Sequence, residues 1–282
     1  MSTPPDLTDR KALALHRRRA RSSGDDAMFL HALAADLVEE RLDEVNRTFT
    51  DMAVITGHPE FWARRFPDAV VRPDDDTLDL REGAQDLVVH AMSLHWANDP
   101  VGQLVQARRA LRPDGLFLCV AFGGQTLSEL RAALAEAEVA VTGGLSPRVV
   151  PMGEVRDLGA LLQRAGFALP VADRLTQTVT YASPLSLVRD LRGMGETNAL
   201  AQRDRRPPGR TLFAEAIRLY SGAFPADDGR VRATFELVFL TGWAPSDTQP
   251  KPLRPGSAQA RLADALGTPE LPAGDTTGPP KD

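Results

Sequence analysis

The chain has little of what would place it in a disulfide-rich, zinc-binding or membrane-spanning class. Its 282 residues include one cysteine, Cys119, so no internal disulfide framework is expected. The five histidines give no H-x-x-x-H pair and no C-x-x-C pair is present, so a structural zinc site is not supported. No apolar run reaches the roughly 18–20 residues of a membrane span, and the amino terminus lacks the apolar segment of a secretory signal. A cytoplasmic location is therefore expected.

Several common catalytic motifs are missing as well. The chain contains no G-x-S-x-G elbow, no P-loop and no full dinucleotide fingerprint, which argues against a hydrolase, a nucleoside triphosphatase and an ordinary dehydrogenase. The net charge of −5 argues against a general nucleic-acid binder. What remains is a globular composition, because 43% of the residues are hydrophobic and can form a sizeable core.

Residues 86–117 carry the clearest structural pattern. Residues 86–91 form a continuous apolar run, typical of a strand that is buried on both faces of a parallel sheet. Asp99-Pro100 then predicts the start of a helix that ends at Leu111, and Pro113-Asp114-Gly115 predicts a turn into the next strand. This strand–helix–strand order predicts an α/β fold with a parallel sheet.

The same alternation extends along most of the chain. Further strands are predicted at 52–55, 69–71, 116–121, 168–181 and 232–243, and helices at 25–45, from Pro59, and at 127–141, 153–165, 184–192 and 211–224. The sequence predicts an N-terminal helical extension over 1–46, a main domain over 47–245 and, because proline, glycine and serine are frequent there, a flexible tail over 246–282.

The segment 9–22 is a basic amphipathic helix by its pattern, with six cations from Arg10 to Arg21. One interpretation is a solvated helix face. The other is a surface for an acidic partner or a peripheral contact with anionic lipid. The sequence leaves both open.

A set of short sequence words resembles one particular family. They are SLHWAND at 93–99, RPDG at 112–115, FGGQTL at 122–127, RAGF at 164–167 and LRGMGETN at 191–198. Together they resemble the family of the respiratory complex I assembly factor that hydroxylates an arginine of a complex I subunit while keeping a methyltransferase fold. Generic methyltransferases, including the biotin-pathway methyltransferase, share the Leu94-His95-Trp96 region but lack LRGMGETN.

The resemblance implies a Rossmann-like class I methyltransferase sheet with helices on both faces and a final antiparallel edge strand. It also implies S-adenosylmethionine as the cofactor and a protein client, a complex I subunit. The turn after the first strand departs from the family pattern, because Thr56 and Gly57 are followed by His58, Pro59 and Glu60, which leaves one glycine where the cofactor needs close backbone approach. Cofactor binding is therefore expected to be weakened or lost.

The acids of 74–76 have three readings. In the first, Asp74 and Asp75 belong to the segment near the adenine, and one strand–helix unit of the family is deleted. In the second, Asp74 is the acid for the ribose hydroxyls, eighteen residues after Thr56. In the third, these acids form a solvated loop.

A polar cluster follows the strand at 86–91. Ser93 and Leu94 are expected at the cofactor, while His95 could act as a base or ligand and Trp96 could stack on a planar group. The alternative is that His95 and Trp96 only fix the turn by packing. An iron site from His58, His95 and an aspartate would require the two strand ends to be neighbours.

Two functional hypotheses follow. The first is an enzyme that binds S-adenosylmethionine or a related cofactor and modifies a protein arginine. The second is a degenerate, non-catalytic member that acts as an assembly chaperone for the same respiratory complex.

Overall fold

The structure is a computed structural model that describes residues 6–22 and 24–250. The helices are α1 (Arg10–Arg21), α2 (Phe29–Glu44), α3 (Pro59–Arg65), α4 (Pro100–Ala110), α5 (Ser128–Thr142), α6 (Val155–Ala165), α7 (Pro184–Gly193) and α8 (Arg210–Ala223). The strands are β1 (Met52–Thr56), β2 (Val70–Pro73), β3 (Gln85–Ala91), β4 (Leu111–Phe122), β5 (Ala168–Tyr181) and β6 (Val231–Trp243). The predicted alternation of strands and helices is confirmed.

The strands form one mixed sheet in the order β2-β1-β3-β4-β6-β5. The first four are parallel, and β6 runs antiparallel to both β4 and β5. The final strand is therefore antiparallel, as expected, but it lies inside the sheet and β5 forms the edge. The burial patterns explain this placement, because residues 235–240 of β6 are buried without interruption, whereas β5 alternates with exposed positions.

On the outer side of β1 the described residues contain one strand, β2. It pairs in parallel with β1, with Ala53 opposite Val70 and Thr56 opposite Pro73. Asp74 therefore lies at the carboxyl end of the strand next to the Gly57 turn. This placement favours the reading in which Asp74 occupies the ribose position over the one that assigns it to the adenine side.

Two apolar layers cover the faces of the sheet. Helices α2, α5, α7 and α8 pack on one face around Val89 and Phe235, and helices α4 and α6 pack on the other face around Val88 and Phe117. Cys119 lies in the second layer, where burial raises the pKa of its thiol. The interpretation of Cys119 as a core thiol is confirmed.

Helix α1 is docked against the domain and is not a fully solvated helix. Asp9 caps it by accepting a hydrogen bond from the Ala12 backbone N–H, and Leu13, Arg17 and Ala20 are buried. Leu13 packs near Trp96 in a small apolar cluster. Arg10, Arg17 and Arg21 pair with acids of the same chain. A lipid contact by the remaining basic side chains stays a prediction.

The described residues up to Ser246 form one compact unit. The division into an extension over 1–46 and a domain over 47–245 stays a prediction, and most of the predicted tail, 251–282, lies outside the described residues. Within the described part of the chain, no helix combines the length and the apolarity that crossing a bilayer requires.

Candidate functional site at the carboxyl edge of the sheet

The carboxyl ends of β1 and β3 bring two of the predicted clusters together. Thr56 at the end of β1 pairs in register with Ala91 at the end of β3. The Gly57 turn and the segment from Met92 to Trp96 therefore start side by side at one edge of the sheet. In open α/β sheets this is the edge at which ligands bind.

His95 and Trp96 converge on the carboxylate of Glu196. The Trp96 indole N–H donates to Glu196 Oε2 at 2.8 Å, and His95 Nε2 lies 3.2 Å from the same oxygen. The side chains of His95 and Glu196 are almost completely buried. The other oxygen, Glu196 Oε1, is buried and has no hydrogen-bond partner among the described residues.

Glu196 is held as a buried anion by its neighbours. Burial alone would raise the pKa of this carboxyl, but His95, Arg17 and the Trp96 N–H outweigh the burial and lower the pKa. The arrangement leaves a negative charge at the N–H edge of the Trp96 ring. Sequence reasoning missed this role, although Glu196 lies in the LRGMGETN word that carried the family resemblance.

A cavity of about 430 Å³ opens beside Trp96 and Glu196. Its walls are mainly apolar and come from the end of β4, from α5 and α7 and from β6, with Phe122, Leu130, Leu191 and Phe235 among the lining residues. Four arginines stand among its lining residues: Arg148, Arg203 and Arg205 are each paired with an acid, Glu138 or Asp9, and Arg192 is exposed on α7. We call this space the Trp96 cavity.

Ser93 and Leu94 do not line the Trp96 cavity. Leu94 is buried in the apolar layer beneath α4, and Ser93 Oγ lies 3.5 Å from His90 Nδ1. His90 Nε2 in turn contacts Gln103 Oε1 at 2.8 Å. Both predicted cofactor residues thus have contacts of their own inside the fold.

The Gly57 turn is covered by a side chain of α1. A Cβ atom added to Gly57 would overlap the guanidinium group of Arg17. Thr56 Oγ1 accepts a hydrogen bond from the His58 backbone N–H at 3.2 Å, which closes the turn. The missing side chain at Gly57 does allow a close approach to the backbone, but the group that approaches is Arg17 of the same chain and not a cofactor.

Asp74 is engaged by the same helix. Arg17 Nη1 donates to Asp74 Oδ1 at 2.7 Å, and Arg10 Nη1 donates to Asp74 Oδ2 at 3.3 Å. Burial would raise the pKa of Asp74, but the two guanidinium groups hold it at about 2. Asp75, by contrast, is largely exposed and lies 3.8 Å from Arg10. The solvated-loop reading therefore fits Asp75 but not Asp74.

Three of the histidines at this end of the sheet are kept neutral. Burial, together with the nearby Arg17 guanidinium, lowers the pKa of His58 to about 4. Burial also lowers the pKa of His31, whose ring lies 4.7 Å from that of His58, and the pKa of His90. Among the described residues no three histidine, cysteine or acidic side chains are grouped so as to hold a metal ion.

The residues around Gly57 and Asp74 do not fit S-adenosylmethionine as they are arranged. Arg17 lies on Gly57, and both Asp74 oxygens are already hydrogen-bonded. The remaining space between α1 and the turn has a volume of about 180 Å³. Ligand pockets usually measure about 300–1,000 Å³, so this space is too small for a nucleoside with an amino-acid side arm.

Comparison with known proteins agrees with this fold. A family model described as a methyltransferase domain matches residues 26–119. The arginine-hydroxylase NDUFAF5, mitochondrial, of Danio rerio is 40% identical over 198 residues, which is 70% of this chain and 61% of that protein. The protein of the same name in Homo sapiens is also 40% identical, over 70% of this chain and 57% of its own length. A malonyl-[acyl-carrier protein] O-methyltransferase of Xylella fastidiosa (strain M23) is 34% identical over 64% of this chain and 59% of that protein.

The sheet, the site at its carboxyl edge and the matching domain model define a protein of the methyltransferase-fold class. Within that class the chain is similar to the arginine-hydroxylase NDUFAF5. It spans about 60% or less of the length of these relatives. The expected cytoplasmic location is wrong, because the relatives are named as mitochondrial proteins. Composition and core patterning describe a fold and carry no information about its compartment.

Proposed function

We propose that this chain acts in the assembly of respiratory complex I by binding a segment of one complex I subunit at the Trp96 cavity. The observation that carries the proposal is the buried Glu196 carboxylate beside an apolar cavity at the ligand-binding edge of the sheet. The similarity of the chain to the arginine-hydroxylase NDUFAF5 supports a protein client.

An arginine side chain is the group that we expect this cavity to receive. The relatives are named as arginine hydroxylases, and a guanidinium would bring a positive charge towards the anionic Glu196 and the face of the Trp96 indole. Of the four arginines of the cavity wall, Arg148, Arg203 and Arg205 are paired with Glu138 or Asp9. The fourth, Arg192, is exposed to solvent, which screens its charge.

The test is deletion of the gene in its native host, followed by measurement of assembled complex I on native gels stained for NADH dehydrogenase activity. We expect less assembled complex in the deletion strain and recovery with the wild-type gene. Leu130→Glu, which places a charge in the cavity wall, should fail to restore it. Leu185→Glu is the matched control, because Leu185 is exposed and does not line the cavity. Normal complex I levels without the gene would refute the proposal.

A second candidate function is modification of the bound arginine. It is favoured by the relatives' name and by the His95–Glu196 pair at the strand end. S-adenosylmethionine is the cofactor that the methyltransferase domain implies, but the arrangement at Gly57 gives that part of the proposal no support. Mass spectrometry of complex I subunits from the same strains tests this candidate. An arginine that is one oxygen heavier in the wild-type strain alone supports modification, and identical spectra contradict it.

A further inference from the structure

We infer that Arg17 of helix α1 takes the place of the nucleoside cofactor, so that this chain is kept free of S-adenosylmethionine by a side chain of its own. The inference begins with the position of the guanidinium group. It lies directly on Gly57, the one glycine of the turn after β1, in the space that a cofactor would need for contact with the backbone.

The guanidinium group is held there by Asp74. The ion pair joins Arg17 Nη1 and Asp74 Oδ1 at 2.7 Å, and both side chains are at least 94% buried. Asp74 also accepts from Arg10 Nη1, and its backbone carbonyl accepts from Gln103 Nε2 at 3.2 Å and from Arg10 Nη2 at 2.5 Å. The acid that would bind the ribose hydroxyls is thus neutralised twice by α1.

Helix α1 is itself anchored at two places, at its N-cap Asp9 and near Arg17. Asp9, its N-cap residue, donates its backbone N–H to Ala199 O at 2.7 Å and pairs with Arg203 at 3.0 Å. Near Arg17, a Cβ atom added to Gly195 would lie 3.1 Å from the Arg17 Cα atom, so the helix backbone packs closely on the segment that carries Glu196. Gly195 has a φ of 77°, which also favours glycine. Arg17 is therefore presented by an anchored element.

The same contact links the closed cofactor cleft to the Trp96 cavity. Arg17 helps to lower the pKa of Glu196. The Arg17 charge can therefore serve the client site by stabilising its carboxylate, in the place where a cofactor would otherwise lie. This explains how a methyltransferase fold can keep the Trp96 cavity open while a side chain of its own helix α1 fills the space at Gly57 and Asp74.

The experiment is calorimetric titration of the full chain with S-adenosylmethionine and with S-adenosylhomocysteine. We expect no binding by the wild-type protein at millimolar ligand and micromolar binding by Arg17→Ala, a gain of about a thousandfold in affinity. Micromolar binding by the wild-type protein would overturn the inference. Absence of binding by a folded Arg17→Ala variant would overturn it too, because Arg17 would then not be what excludes the cofactor.

A second variant keeps the inference testable if Arg17→Ala does not fold. Gly57→Ala keeps the arginine at position 17 but displaces its guanidinium group, and it is expected to lower Tm by several degrees because that buried group must leave Asp74 to make room. Gly222→Ala is the matched control, because no atom of residues 6–22 or 24–250 lies within 4 Å of its added Cβ atom and because Gly222 falls in the last turn of α8. An unchanged Tm for Gly57→Ala would show that Arg17 does not occupy this space. These in vitro results are independent of complex I levels in cells.

Discussion

Glu196 is the residue on which the proposed client site at the Trp96 cavity depends. Its carboxylate accepts the Trp96 indole N–H and contacts His95 through the same oxygen. A buried carboxylate requires such partners, because an ionised group without hydrogen bonds is very costly inside a protein. The His95–Trp96 pair therefore has a defined structural task, and its catalytic role stays a prediction.

Removing the Trp96 indole N–H should lower the free energy of unfolding, and the size of the loss should depend on whether Glu196 is present. Trp96→Phe keeps most of the ring but leaves Glu196 with His95 alone, so we expect a loss of about 1–3 kcal/mol in the free energy of unfolding. In a Glu196→Met background the same change should cost at least about 1 kcal/mol less, because the acceptor is gone. Urea unfolding of the four proteins in this cycle is the measurement. Equal costs in both backgrounds would contradict the assigned hydrogen bond.

At the scale of elements, the sequence words predict the strands and helices well. The strand predicted at 86–91 is β3 (Gln85–Ala91), and the helix that Asp99-Pro100 predicts is α4 (Pro100–Ala110). The start of the next strand was missed, because β4 begins at Leu111 and includes the residues of the predicted turn. An irregular register between Gln85 and Leu87 accompanies that early start. Local patterns thus define the elements but not where irregular pairing begins.

The contacts that define the site are not local, which is why the sequence did not predict them. Arg17 and Asp74 are 57 residues apart, and Trp96 and Glu196 are 100 residues apart. The basic pattern of 9–22 indicated a solvated or partner-binding surface, and nothing in that pattern distinguishes Arg17 from its neighbours. The departure of the Gly57 turn from the family pattern was visible in the sequence, but the side chain that covers it was not.

Helix α1 should depend on its N-cap for docking. Asp9→Ala removes both the acceptor for the Ala12 N–H and the partner of Arg203, so we expect a loss of at least about 1 kcal/mol and faster tryptic cleavage within α1. Asp9→Asn is the matched control, because asparagine can still cap the helix but carries no charge. Cleavage at the wild-type rate in Asp9→Ala would argue that other contacts hold α1 in place.

For the whole molecule, the buried neutral histidines predict a loss of stability in mild acid. His58 has a folded pKa of about 4 and an ordinary value of 6.5, so the unfolded chain binds the proton first as the pH falls. The contribution of neutral His58 to folding stability is complete above pH 6.5 and is lost as the pH falls towards 4. The charged or titratable groups that act on it are Arg17, Glu196, Asp74 and Arg21.

We expect His58 to account for a loss of about 1 kcal/mol between pH 7 and pH 5.5. His31 and His90, whose pKa values are also lowered, should add to the loss in the same direction. Urea unfolding at the two pH values measures the total, and His58→Gln should reduce the difference by the His58 share. The same pH dependence in His58→Gln and the wild-type protein would contradict the assignment.

The molecule thus has a methyltransferase fold in which α1 closes the space at Gly57 and Asp74, where a cofactor would bind. The Trp96 cavity, the proposed client site, stays open beside Glu196. The most direct measurement of that account is a crystal structure grown with excess S-adenosylhomocysteine. We predict density for the Arg17 guanidinium on Gly57, paired with Asp74, and no density for the nucleoside. A nucleoside bound between Gly57 and Asp74, with Arg17 displaced, would contradict the account.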